Sequence, residues 1–190
     1  SLAKQGDGTV TLTGNNSYNG GTTVGGGALV GTVGSIRGTV QVATGATVQF
    51  NATETGEVPN TIAGDGVLRL HLVGGGHTIM NKVSGITGTI WVSNTGTPVT
   101  NKWSVTQSVN ADAAVLLDPG STLFVFGGQT ASFGKGITLS GTGNTENRGA
   151  IRLGGTLGGS VTLARRKTVG GEGGTIAGDG GEQLQVGETF

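Results

Sequence analysis

Short stretches in which apolar and small polar residues alternate recur along the whole chain, and glycine or asparagine bounds most of them. They read "TVTLT" at 9–13, "TVQVA" at 39–43, "ATVQF" at 46–50, "VLRLHLV" at 67–73, "TIWVS" at 89–93, "ITLS" at 137–140 and "SVTLA" at 160–164. Successive side chains of a strand point to opposite faces, so this period of two describes sheets with one dry and one wet surface. In the segment 67–73, Leu68, Leu70 and Leu72 oppose Arg69 and His71. No region carries a helical apolar stripe, and the one long stretch without glycine, 97–119, contains β-branched Thr and Val that disfavour helix. The chain is therefore expected to be all-β.

Without crossover helices, two architectures remain: an antiparallel sandwich or barrel, and a solenoid in which each coil hydrogen-bonds to the next. Internal similarity favours the coil. The tripeptide "GDG" occurs at 6–8, 64–66 and 178–180, and "TIAGDGVLRL" at 61–70 matches "TIAGDGGEQLQV" at 175–186 in an entering strand, a turn and a returning strand. Those separations fit about three and six steps of ~19 residues, within the range of repeat proteins. The expectation is a single-stranded parallel β-helix, a β-solenoid of about nine or ten coils in one domain spanning 1–190, forming a rod of roughly 45 Å. Glycine supplies the positive φ angles that its corners need, and Asp or Asn caps them.

Composition narrows the function. The 41 glycines show no three-residue period and there are 3 prolines, which removes collagen. Hydrophobic residues make up 34% of the chain, too many for a disordered one. Lys plus Arg and Asp plus Glu are both 11, so no field of one sign gathers nucleic acid or anionic lipid, and Arg165, Arg166 and Lys167 read as a solvated turn. No apolar run approaches the ~20 residues of a membrane-spanning helix. With 0 cysteines there is no disulfide or thiolate chemistry.

Candidate reactive groups are sparse. Asp112 and Asp118 flank "AAVLL" and read as polar strand ends; Asp7, Asp65 and Asp179 sit in glycine turns. On a coil these three aspartates would lie at least ~15 Å apart, too far for paired carboxylates in glycoside cleavage. His71 and His77 have no neighbouring acid in the sequence and read as exposed. "GQTASFGKG" at 128–136 has the wrong spacing for a phosphate loop. Tyr18, Trp91 and Trp103 read as packing or turn covers, with stacking on a sugar as the alternative. No catalytic, cofactor or metal residue is assigned.

Residues 1–30 carry a denser pattern: Leu2, Lys4, Gly6, Gly8, Thr9, Leu12, Gly14, Asn16, Tyr18, Gly20, Thr22, Val24, Gly27 and Leu29. They resemble the autotransporter-associated β-strand repeat, or passenger-associated transport repeat, with Val10 where leucine is usual. The stretch 149–180 is similar to the spacer coils between such repeats. The resemblance implies a parallel β-helix in exported bacterial surface proteins, hence an extracellular location and a structural, non-enzymatic stalk, fibre unit or adhesin shaft. A glycan-binding adhesin is the alternative, and a polysaccharide lyase or hydrolase a further one. Within the same resemblance the two ends of the chain are in phase. Head-to-tail self-association through Ser1, Leu2, Lys4, Leu184, Val186 and Phe190, or continuation in a longer array, is expected.

Overall fold

The computed structural model describes residues 1–95, 99–146 and 148–163, together with strand 176–178; of 163 and 176–178 it describes the backbone. The described residues wind as a parallel coil of eight rungs. The first two rungs each contribute two strands: β1 (Leu2–Lys4) and β2 (Thr9–Thr11), then β3 (Thr22–Val24) and β4 (Ala28–Gly31). Six three-stranded rungs follow. They comprise β5 (Val40–Val42), β6 (Thr47–Ala52) and β7 (Gly56–Glu57); β8 (Ile62–Gly64), β9 (Val67–Leu72) and β10 (His77–Ile79); and β11 (Gly85–Ile86), β12 (Thr89–Asn94) and β13 (Lys102–Val105). The last three are β14 (Val109–Ala111), β15 (Ala114–Leu117) and β16 (Leu123–Val125); β17 (Thr130–Phe133), β18 (Ile137–Leu139) and β19 (Ile151–Leu153); and β20 (Thr156–Gly158), β21 (Val161–Leu163) and β22 (Ile176–Gly178).

Like positions stack into three faces. Face one is a five-stranded sheet, β1-β3-β5-β8-β11, followed by a three-stranded sheet, β14-β17-β20. Face two is one eight-stranded sheet, β2-β4-β6-β9-β12-β15-β18-β21, and face three runs β7-β10-β13-β16-β19-β22. Every pairing among these strands is parallel. The parallel β-solenoid expected from the strand pattern and the internal similarity is therefore the fold, and no helix among the described residues is long and apolar enough to cross a membrane.

The coil count and the repeat length differ from expectation for one reason: the coils lengthen along the chain. Leu2 pairs with Thr22 and Thr22 with Val40, whereas His77 pairs with Lys102 and Leu123 with Ile151. A step of ~19 residues therefore describes the first rungs, while the later ones are longer and fewer. Part of the growth is the third-face strand, and part is the connections from face two to face three, such as 140–150. The seven steps of face two give a column of about 34 Å at ~4.8 Å per step. The first two "GDG" triplets do mark one corner, three rungs apart, and the leading glycine is left-handed in both, Gly6 at φ 73° and Gly64 at φ 115°. The similarity of 61–70 to 175–186 does not extend to position. Ile62–Gly64 lies on face one and Ile176–Gly178 on face three, paired with β19.

The core follows the register. Leu29, Val48, Leu68, Ile90, Val115 and Ile137 form one column behind face two. All are buried. Phe50, Leu70, Val92, Leu117 and Leu139 form a second, also buried. Each fully buried aliphatic side chain contributes roughly 1.5–3 kcal/mol of transfer free energy. Gly31 stands at the place of Phe50 one rung below, where a Cβ would run into Ser35 and the buried Ile36. Val10 occupies the first site of the Leu29 column but is 41% exposed, because no described rung lies on its far side.

Candidate functional site

The side chains with recognisable chemistry gather on the outer surfaces of faces two and three, around the longest strands. On face two, β6, β9 and β12 each run six residues, their outward positions half-buried except for the buried Ser93. The register places Gln49, Arg69, Trp91 and Leu116 in one outward row, and Asn51, His71 and Ser93 in the next. Arg69 donates from Nε to Ser93 Oγ at 2.8 Å, and its guanidinium lies over the Trp91 ring, 4.1 Å from the centroid. Trp91 donates its indole N–H to Asp118 Oδ2 at 2.8 Å, while His71 Nδ1 meets Ser93 Oγ at 3.0 Å. Gln49 Nε2 donates to Asn51 Oδ1 at 2.7 Å.

Ser93, His71 and Asp118 have the composition of a hydrolase triad but not its connectivity. A triad needs the carboxylate to hold one imidazole nitrogen while the other faces an accessible hydroxyl. Here the carboxylate is bound by an indole, Ser93 is 1% exposed, and its oxygen already accepts from a guanidinium. Burial, then the charge of Arg69, lowers the His71 pKa against the opposing pull of Asp118, and this shift favours the neutral ring. The arrangement fixes Arg69 and Trp91 in place and activates no nucleophile.

Face three carries a second cluster. Lys102 is buried and pairs with Glu146 at 2.8 Å, and Arg152 Nη1 lies 3.9 Å from the same carboxylate oxygen. Arg152 also stacks on Phe124, 4.3 Å from its centroid. His77 sits between Phe124 and Phe126, with ring centroids 6.0 and 5.9 Å away, and its Nδ1 meets Ser104 Oγ at 2.9 Å. Burial of Glu146 acts to raise its pKa. The hydrogen bond and charge of Lys102, helped by Asn144 and Arg152, outweigh that and hold it below the ordinary value. The loop bearing Glu146 is tied down as well: Asn144 Nδ2 donates to Thr100 O at 2.9 Å and Thr145 Oγ1 to Val99 O at 3.0 Å. This cluster is a clasp for a loop. Among the described residues no three His, Cys, Asp or Glu side chains come close enough to hold a metal ion.

The structure sorts the residues singled out from the sequence. Trp103 is fully buried, donates to Met80 O at 2.9 Å and packs on Phe133, ring centroids 5.6 Å apart, so it is no sugar platform; Trp91 is half-buried on face two. Asp65 accepts from Thr44 Oγ1 at 2.7 Å at its corner, and Asp118 ends far along the strand from Asp112, bound to Trp91. The histidines, expected to be exposed and without an acid, are half-buried and feel Asp118 and Glu146 respectively, because coiling brings in residues distant along the chain. Of the residues expected at the ends, Ser1 is exposed and Leu2 half-buried, while Leu184, Val186 and Phe190 lie outside the described residues, as do Asp179 and Arg165–Lys167. Lys4 is buried, and its ammonium donates to the carbonyls of Gln5, Gly6 and Gly26 at 2.9, 2.6 and 2.9 Å.

Lys4 belongs to a set of staples, and the set explains the dense pattern at 1–30. Asn16 Nδ2 donates to Ser35 O at 2.8 Å. Tyr18 Oη accepts from Arg37 N–H at 2.9 Å and shares a 2.8 Å hydrogen bond with Thr22 Oγ1. Each joins the first rung to backbone or side chains of the second. The left-handed Gly21, at φ 78°, and Gly27, at φ 59°, make the corners that carry this register. The same stretch, residues 2–30, matches the family model of the passenger-associated-transport-repeat. No curated protein matches the chain. No solved structure matches it either.

Proposed function

We propose that the chain, whose residues 2–30 match the passenger-associated-transport-repeat family model, is a length of non-enzymatic shaft in a bacterial protein exported to the cell surface. The observation that carries this reading is the unbroken face-two ladder, eight parallel strands in one sheet over a continuous apolar column. Such a column resists bending because every rung donates its backbone hydrogen bonds to the next, and stability accumulates as nearest-neighbour contacts. Its mechanism is mechanical: it holds whatever it bears at a distance from its anchor.

The first rung presents β1 and β2, each paired on one side, with Val10 exposed at the head of the core column. A further rung laid on this edge, from a second copy or from an adjoining repeat, would cover Val10 and complete both ladders. Electron micrographs of the purified chain over a rising concentration series test both parts. The shaft reading expects straight rods, which lengthen with concentration if copies join end to end. Compact isometric particles would contradict the shaft, and rods of one fixed length at every concentration would contradict end-to-end joining alone. A panel of polysaccharides assayed for new reducing ends should show no release; turnover of any of them would contradict the non-enzymatic reading.

A further inference from the structure

We propose that the outer surface of face two, centred on the Arg69–Trp91 stack, binds the carboxylates of an acidic polysaccharide lying along the column. It rests on the shaft reading in one respect, that this face lies open along the rod. Arg69 is immobilised from two directions, by the 2.8 Å bond from Nε to Ser93 Oγ and by the Trp91 ring beneath its guanidinium. Both tethers leave the terminal nitrogens, which have no hydrogen-bond or ion-pair partner among the described residues. A guanidinium fixed in this way presents a two-pronged donor matched to a carboxylate, with little conformational entropy left to lose on binding.

The surroundings choose the ligand class. Asp118, the nearby acid, has Oδ2 occupied by the Trp91 indole. One rung before Arg69 stands Gln49, and beyond Trp91 stands Leu116, 39% exposed. Along the axis the row therefore offers amide, cation, aromatic ring and aliphatic side chain at steps of ~4.8 Å. A uronic-acid polymer repeats hydroxyls, carboxylates and apolar C–H faces on a comparable scale. The flat, in-register row suits an extended chain with such a repeat rather than a single small anion.

The test uses the full chain with an oligogalacturonate, the same oligomer after reduction of its carboxyls, and a polyglutamate peptide. Trp103 is buried in the core, so ligand-dependent change in tryptophan emission reports on Trp91. Saturable binding of the oligogalacturonate is expected, weakened about tenfold or more in Arg69→Gln and by the reduction of the carboxyls. Arg69→Lys, which keeps the charge and loses the fork, should weaken it several-fold. The far-ultraviolet circular dichroism and thermal unfolding of each variant verify that the column is intact. The proposal is overturned by absent binding to the wild-type chain, by equal affinity in Arg69→Gln, or by polyglutamate binding as tightly as the sugar. Rods that fail to bind would leave the shaft reading standing and remove only this site.

Discussion

The first two rungs and the middle of the column combine polar staples and apolar packing in different proportions. In the first, steps are short, face three has no strand, and successive coils are joined by side chains that donate to or accept from backbone: Lys4, Asn16 and Tyr18. In the middle, three strands per rung enclose a core wide enough for Trp103, Phe50 and Phe133. A staple demands one residue type at one position, because a carbonyl accepts only from a donor of the right length. An apolar column accepts any well-sized hydrophobe. The family model matches 2–30 and not the rungs that follow: in 2–30 the staples fall close together in one dense motif, whereas the later ones, Asn60 to Ile36 O and Gly38 O and Asn101 to Ala52 O, are scattered among apolar packing.

The contrast can be broken by substitution. The largest effect is expected at Trp103→Ala, which empties the widest part of the core and removes the bond to Met80 O. It should cost about 3–5 kcal/mol in denaturant unfolding; a loss below about 1 kcal/mol would show that the middle does not rest on packing. Lys4→Met comes next, leaving the carbonyls of Gln5, Gly6 and Gly26 without their charged donor. The expected loss is about 2–3 kcal/mol, the scale of a hydrogen bond from a charged group. Hydrogen exchange should accelerate in β1 to β4 and stay unchanged around Trp103; uniform acceleration would contradict the separation of the two regimes.

The smallest effect concerns acid. His77 has its pKa lowered, first by burial and then by the charge of Lys102; Glu146 opposes this and Arg152 adds to it. A folded pKa below the unfolded one means stability is complete above the unfolded histidine value near 6.5 and falls as pH drops through the folded value. Glu146, also lowered, loses its contribution in the same direction but further into acid, at and below the ordinary carboxylate range. Modest destabilisation is therefore expected between neutrality and pH 5. His71, also lowered by burial and by Arg69, contributes in the same window, so His77→Gln should reduce that slope without abolishing it, and an unchanged slope would place the titration elsewhere.

The alternation made the strands legible, because period two is a local property, and the recurrence of "GDG" favoured the parallel coil over a sandwich. Glycine corners were legible in the same way: Gly6 and Gly64 open the same turn in different rungs. Rung count was not, since the connection 140–150 and the gain of a face-three strand change the step without changing the strand pattern. The clusters were hidden for a related reason. Lys102 meets Glu146, and Trp91 meets Asp118, across coils of unequal length, so no fixed spacing announces them. Trp103 and Trp91 looked alike in the sequence; one points into the column and the other out of it, a difference set by the register of their strands.

The parallel stack itself can be measured with paired spin labels, which the chain's 0 cysteines make site-specific. Val30, Leu116, Thr138 and Thr162 lie in one outward row of face two, Leu116 four rungs from Val30 and each of the others one rung further. From Val30 the separations should rise as about 19, 24 and 29 Å, one ~4.8 Å step at a time. Distances that fail to increase in that order would mean the strands are not stacked in sequence as a parallel coil.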